Sequence, residues 1–216
     1  MMFPALLMMA CLAPGGEIPN KLSEAEKSEG FLLLFNGRDL SGWDGDTRFW
    51  RAEDGMITGS TDGHSTKENT FLIYKRTFSD FHLKAEVRLR NHNSGIQFRS
   101  KVAPGPGYVV SGYQADFSDA GERSAWGNFY EERGRGRGVM KTPDEGWRKG
   151  RSLVRVKDWN SVEVMARGRH IQIKLNGVVT MDTTDNEAVS GVIAIQLHKG
   201  EKMRVDCRNL KLKELR

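Results

Sequence analysis

The stretch "FHLKAEVRLRNHNSGIQFRS", residues 81–100, alternates apolar and polar side chains, breaks at a polar turn, and then resumes the alternation. Such alternation is typical of β-strands that bury one face and expose the other. The inward positions are Phe81, Leu83, Ala85, Val87 and Leu89, then Ile96 and Phe98. We therefore predict two strands joined by a turn at Asn93-Ser94-Gly95, with their outward residues on one polar face.

The rest of the chain follows the same pattern, with runs of about four to eight strand-like residues between Gly, Asn and Asp clusters. Asn176-Gly177 in "KLNGVV" and Asp54-Gly55 in "AEDGMI" are typical of two-residue hairpin turns. Strands are predicted near 31–35, 49–52, 56–59, 70–74, 81–89, 95–100, 109–117, 126–130, 153–156, 161–166, 170–175, 178–181, 191–197 and 203–212. The pattern predicts an all-β chain, an antiparallel β-sandwich or closed barrel.

One short helix is predicted at the N-terminal side, in "SEAEKSEG", with Ser23 as its N-cap and Gly30 after its end. Before it, "MMFPALLMMACLAPGG", residues 1–16, has a short apolar core followed by small residues, which is typical of an export signal. Cleavage is expected near Ala10 or Ala13, or Cys11 carries a lipid anchor. We therefore expect an exported, periplasmic or cell-surface protein, with a polar segment at 17–30 and a single domain at 31–216.

Bulk composition suits a globular protein that remains in water. The chain has 216 residues, of which 38% are hydrophobic, and no apolar run approaches the ~18 residues that span a bilayer. Its net charge of +5 comes largely from residues 132–157, a stretch that would suit an anionic polymer but is more typical of a solvated loop. No nucleic-acid partner is expected. Cys207 lies in a strand-like run and is expected to be a buried apolar residue, and no disulfide framework is predicted.

The predicted outward positions carry an unusual set of side chains. In "GYQADFSD" the outward residues are Gln114 and Asp116, and in "GVIAIQLHKG" they are Gln196 and His198. Amides, carboxylates and guanidinium groups on neighbouring strands suit the paired hydroxyls of a saccharide. The alternative is an ordinary exposed face in which carboxylates and arginines form cross-strand ion pairs.

Nine segments, in order and at consistent spacing, extend this interpretation: "LLFNGRDLSGW", "DGMITG", "FSDFHLKAEVRL", "NSGIQFRS", "SGYQADF", "DWNSVEV", "IKLNGVV", "GVIAIQLHKG" and "RVDCRNLKLKEL". Together they resemble the bacterial 3-keto-disaccharide hydrolase domain family over about residues 30 to 215. The resemblance implies a concanavalin A-like jelly roll of two sheets, with the site on a concave sheet. It also implies, from activity shown for only some members of the family, cleavage of glycosides that are oxidised to a ketone at C3.

The resemblance implies candidate site positions at Glu86, Asn93, Arg99, Gln114, Asp116 and His198. Many relatives carry a glutamate and a glutamine in the pattern "GYExQ", at the positions where this chain has Gln114 and Asp116. A carboxylate is present in both versions but has moved by two residues along the same face. Which of Glu86 and Asp116 acts as the base therefore stays open.

A C3 ketone makes the C2 proton acidic, so that the C1 glycosidic oxygen can leave by elimination before water adds to the enone. This chemistry needs a base, an acid and a donor for the ketone oxygen. The hypothesis takes Asp116 or Glu86 as base, His198 or the other carboxylate as acid, and Arg99 with Asn93 as ketone ligands.

Substrate contacts are expected from Gln97 and Gln114, with Trp126 and Tyr130 as a stacking wall. Three alternatives stay open: direct glycoside hydrolysis by the two carboxylates, a divalent metal held by Asp116, Glu86 and His198, and a non-catalytic, lectin-like module that binds saccharide. No dense ligand motif such as HExxH is present, so no metal ligand is assigned.

Overall fold

The computed structural model describes residues 19–105, 107–118, 125–135, 144–200 and 202–215. Its helices are α1 (Glu24–Ser28) and α2 (Glu145–Ser152). Its strands are β1 (Leu32–Leu33), β2 (Trp43–Asp44), β3 (Trp50–Glu53), β4 (Met56–Ser60), β5 (Thr70–Phe78), β6 (Phe81–Leu89), β7 (Asn93–Val102), β8 (Val110–Ser118), β9 (Asn128–Glu132), β10 (Asn160–Arg167), β11 (His170–Leu175), β12 (Val178–Thr184), β13 (Gly191–Leu197) and β14 (Arg204–Glu214).

These strands form two antiparallel sheets that pack face to face. The eight-stranded sheet has the order β12-β11-β10-β6-β14-β4-β3, with β1 paired to β14. The six-stranded sheet has the order β2-β5-β13-β7-β8-β9. The architecture confirms the predicted antiparallel β-sandwich of the concanavalin A-like type.

The core lies between the sheets and is built from the alternating apolar positions that the sequence predicts. Phe81, Leu83, Val87 and Leu89 of β6 are at most 1% exposed, as are Ile96 and Phe98 of β7. Ile193, Ile195 and Leu197 of β13 are fully buried in the same cluster. Cys207 is also fully buried there, as expected.

The turn after β6 does not form a hairpin, and the prediction that the outward residues of β6 and β7 share one face is wrong. β6 pairs with β10 and β14, whereas β7 pairs with β13 and β8. The chain crosses from one sheet to the other at Arg90–His92, where His92 adopts φ 65°. Alternation places both apolar sets in the core but cannot tell whether the next strand joins the same sheet or the facing one.

The local signals for turns and for α1 are confirmed. Asn176 and Gly177 have φ of 48° and 81°, and Asp54 and Gly55 have φ of 50° and 72°, as a type I′ hairpin turn requires. Ser23 caps α1 by accepting from the backbone N–H of Glu26.

The predicted strand at 153–156 is wrong, because Leu153 is the C-cap of α2 and the segment then turns. α2 itself was not predicted, although Asp144 provides its N-cap by accepting from the backbone N–H of Trp147. The predicted export signal at 1–16, with Ala10, Cys11 and Ala13, lies outside the described residues. Within the described ranges, no helix has the length and apolar character needed to cross a membrane.

Candidate functional site

The outer face of the six-stranded sheet carries a continuous chain of hydrogen-bonded polar side chains. Ser100 Oγ donates to Gln97 Oε1 at 2.7 Å, and Gln97 Nε2 donates to Gln114 Oε1 at 2.5 Å. Gln114 Nε2 then donates to Asp116 Oδ1 at 2.9 Å, and Asn93 Nδ2 reaches the same oxygen at 3.1 Å. The amides therefore line up to present their donors to one carboxylate.

Asp116 is the end point of this chain and is only 7% exposed. Burial raises its pKa to about 6, against the lowering effect of the hydrogen bonds from Gln114 and Asn93. The negative charge of Glu132 adds to the rise. A carboxylate with a pKa near 6 is ionised at neutral pH and retains more basicity than an ordinary aspartate, which suits a general base.

Glu132 is a second buried carboxylate on this face, and it is not among the residues predicted from the sequence. Its Oε1 accepts from Asn69 Nδ2 at 3.2 Å and its Oε2 from Gln196 Nε2 at 3.0 Å. A usable signal was present, because Glu132 lies two positions after Tyr130 on one strand and so shares its face. Tyr130, opposite Gln114 in the β8–β9 register, is half-buried on that face.

His198 lies just beyond the end of β13, at the rim of the same face. The β13–β7 register pairs Ile195 with Ile96, so its continuation brings residue 198 alongside Asn93. His198 Nδ1 lies 2.8 Å from the backbone oxygen of Lys199. Because a carbonyl oxygen only accepts, Nδ1 carries a proton in this contact, which does not involve Nε2.

A small apolar cluster lies beside the polar chain on the outer face. Tyr108, from the connection between β7 and β8, packs on this cluster. The backbone carbonyl of Tyr108 accepts from the Phe71 N–H at 2.9 Å. The members of the cluster are Phe71, Ile73, Val110, Val192 and Ala194. The face thus places a buried apolar cluster beside a row of buried amides and carboxylates.

Arg99 was predicted to face outward as a substrate ligand, and this prediction is wrong. A β-bulge between Phe98 and Lys101 adds one residue to β7, and Arg99 adopts φ 47° there. The bulge re-aims the side chain, which is fully buried and donates to backbone oxygens of Ser79 and Gly168 at 2.8 and 2.7 Å. Arg99 therefore ties together loops at one end of the sandwich.

The predicted roles of Glu86 and Trp126 are also wrong, because neither side chain lies on this face. Glu86 lies on β6 in the eight-stranded sheet, where its carboxylate accepts from Arg208 Nε at 2.6 Å, so it faces away from Asp116 across the whole sandwich. Trp126 is 2% exposed and stacks on Phe117 in the core, with ring centroids 5.1 Å apart, so it offers no stacking wall.

The remaining candidates, Asn93, Gln97, Gln114, Asp116, Tyr130 and His198, lie on or beside one face. Their arrangement does not support a metal site. Within the ranges described above, no cluster of three or more His, Cys, Asp or Glu side chains could hold a metal ion. The conceivable set of Asp116, Glu86 and His198 is ruled out by the position of Glu86 on the other sheet.

Gly95 holds the space that Gln114 occupies, and this leads to a testable prediction. A Cβ on Gly95 would lie 2.4 Å from Cγ and Cδ of Gln114. Gly95→Ala should displace that amide from Asp116 and destabilise the fold by about 1–3 kcal/mol. A double-mutant cycle checks it: Gln114→Ala should relieve part of the folding cost, and strictly additive effects on stability would contradict the contact.

Comparisons with known proteins agree with this architecture. A protein from Parabacteroides distasonis, classed provisionally as a glycosyl hydrolase, superposes with a TM-score of 0.67 at 21% identity, covering 92% of this chain and 100% of its own. The carbohydrate-binding module CBM66 from Bacillus subtilis superposes with a TM-score of 0.56 at 15% identity, covering 79% and 94%. A Bacillus subtilis protein of unknown function with a galectin-like fold gives 0.57 at 11% identity, covering 81% and 90%.

At these identities the structural likeness shows the fold alone. No curated protein matches the chain in sequence. A family model does match, over residues 30–213, and its description is the 3-keto-alpha-glucoside-1,2-lyase-like domain. Because that match extends over most of the chain, the protein belongs to the 3-keto-alpha-glucoside-1,2-lyase-like domain family.

Proposed function

We propose that this protein is an enzyme that cleaves 3-keto-glycosides on the outer face of its six-stranded sheet, with Asp116 as general base. The observation that carries the proposal is the buried Asp116 carboxylate, which is held by Gln114 and Asn93 and has a pKa of about 6. Family membership supports the substrate class.

The reaction begins when Asp116 removes the proton from C2, next to the C3 ketone. The electron pair forms the C1=C2 double bond, the C1–O bond breaks, and the leaving oxygen takes a proton from an acid. Water then adds across the double bond, its hydroxyl to C1 and its proton to C2, which gives the free 3-keto sugar. His198, at the rim of this face, is our candidate for this acid, because the cationic form of its imidazole would donate a proton through Nε2.

Gln114 and Asn93 act on Asp116 and not on the ketone. Both amides donate to Oδ1 and so fix the carboxylate, and we assign removal of the C2 proton to Oδ2. Because Arg99 points into the fold, the developing charge on the ketone oxygen needs another donor, and the Tyr130 hydroxyl is our candidate.

The pH dependence tests the base. Since burial raises the pKa of Asp116 to about 6, kcat/KM on a 3-keto-α-glucoside should rise about tenfold per pH unit below 6 and level off above it. The measurement is an initial-rate profile from pH 4.5 to 8.5. A rate that is flat between pH 4.5 and 7 would rule out Asp116 as the base.

A non-catalytic saccharide-binding module is the second candidate, because the fold is shared with the carbohydrate-binding module CBM66. One experiment distinguishes the two functions. Wild-type protein is incubated with a 3-keto-α-glucoside, and release of the aglycone is measured. Sugar binding without release would favour the binding module.

A further inference from the structure

A groove of about 810 Å³ lies on the opposite side of the sandwich from Asp116, on the outer face of the eight-stranded sheet. Its volume falls within the ~300–1,000 Å³ typical of small-molecule sites. Arg88 of β6 and Arg208 of β14 line it, together with Trp159, which precedes β10. The groove shares no residue with the polar face that carries Asp116.

Two arginines in this groove are fixed in position by carboxylates and by one aromatic ring. Arg88 donates to Asp206 through Nε and Nη2 at 3.0 and 2.8 Å, and Arg208 donates to Glu86 through Nε at 2.6 Å. Their guanidinium carbons lie 4.7 and 4.1 Å from the centroid of the Trp159 ring. Each guanidinium is held by a carboxylate and by the indole ring, so it loses little further conformational entropy when a ligand binds. These donors are therefore pre-organised.

Both arginines also have N–H groups that are available to a ligand. Nη1 and Nη2 of Arg208, and Nη1 of Arg88, have no hydrogen-bond partner among the residues that the structure describes. The groove is also lined by Lys21 and Arg38. In the described part of the chain, the side chains of these two residues form no hydrogen bond or salt bridge.

Acceptors balance these donors. Asp39 and Asp54 line the groove with Lys21 and Arg38, while the partners of Arg88 and Arg208 are carboxylates. Hydrogen bonds from Ser41 lower the pKa of Asp39, so it is ionised at neutral pH. Cations and anions in and around the groove therefore cancel, which favours a neutral, hydroxylated ligand over a polyanion.

We propose that this groove is a second, non-catalytic saccharide site that binds a neutral oligosaccharide. It rests on the proposed function only for the class of ligand. A chain held there would raise the effective concentration of a long glycan near the protein without taking part in its cleavage. The family resemblance implies a site role for Glu86. In this groove Glu86 instead positions Arg208 by accepting a hydrogen bond from its Nε.

The test is isothermal titration of full-length protein with maltotetraose, cellotetraose and laminaritetraose. Wild-type protein should bind at least one of them, and Trp159→Ala should weaken that binding at least ~10-fold, or ~1.4 kcal/mol. Turnover of a small 3-keto-α-glucoside should stay within about twofold. Asp116→Asn should give the reverse, lost turnover and retained tetrasaccharide binding, so failure of one proposal is distinguishable from failure of the other.

Arg38→Ala and Lys21→Ala serve if Trp159→Ala fails to fold, because their side chains contact no partner that the fold needs. Each should weaken tetrasaccharide binding about two- to fivefold with an unchanged melting temperature. The proposal is overturned if wild type binds none of the three probes, or if all the groove variants bind as wild type. Loss of tetrasaccharide binding in Asp116→Asn would also overturn it, as would a strong, salt-sensitive preference for heparin.

Discussion

Asp116→Asn should lower kcat on a 3-keto-α-glucoside by at least ~100-fold, because an amide cannot remove the C2 proton. The substitution keeps the shape of the side chain. Its Oδ1 can still accept from Gln114 and Asn93, and the neutral amide removes the repulsion between the Asp116 carboxylate and Glu132. KM should therefore change much less than kcat.

The same substitution should stabilise the fold. The pKa of Asp116 is raised from 3.8 to about 6, so at pH 7 the ionised carboxylate opposes folding by up to about 3 kcal/mol. The folded state binds more protons than the unfolded state between these values. Wild type should therefore gain stability as pH falls through 6, and the gap to Asp116→Asn should close by about pH 4.

Urea unfolding at pH 4, 5, 6 and 7 checks the stability, and single-turnover kinetics check the rate. The matched control is Asp182→Asn, which changes an exposed aspartate on β12 whose partners include His170 and Gln172. It should change kcat by less than about twofold. A variant Asp116→Asn that turns over normally would remove Asp116 from the mechanism.

Arg99→Ala should destabilise the protein by about 3 kcal/mol or more, because it removes a fully buried guanidinium from its hydrogen-bond acceptors, of which Asp80 is partly exposed. Its guanidinium donates to Asp80 at 2.9 Å and to backbone oxygens of Ser79, Gly168 and Ala188. Asp80 and Ser79 form the crossing from β5 to β6, so four acceptors at one end of the sandwich would lose their donor together.

The melting temperature of Arg99→Ala should fall by roughly 10 °C or more for a chain of this size. Arg133→Ala is the matched control, because Arg133 forms an exposed ion pair with Glu68 at 2.8 Å, worth about 0–1 kcal/mol. If Arg99→Ala instead keeps its stability and loses substrate affinity, Arg99 is a ligand residue after all.

Much of the site could be predicted from strand alternation alone. Gln97, Gln114 and Asp116 share the outer face because period-two alternation with buried Tyr113, Ala115 and Phe117 leaves them no other direction. Glu132 was reachable by the same rule from Tyr130. The turn residues at 54–55 and 176–177 were also predictable, because positive φ has a local cause.

The sequence by itself therefore determined the class of fold, the apolar core and the direction of each side chain within a regular strand. Only the tertiary structure decided which sheet each strand joins, and this separated Glu86 from Asp116. It also decided the bulge that turns Arg99 inward. The physical reason is range: alternation and turn chemistry act between near neighbours, whereas sheet membership depends on strand pairings between distant parts of the chain.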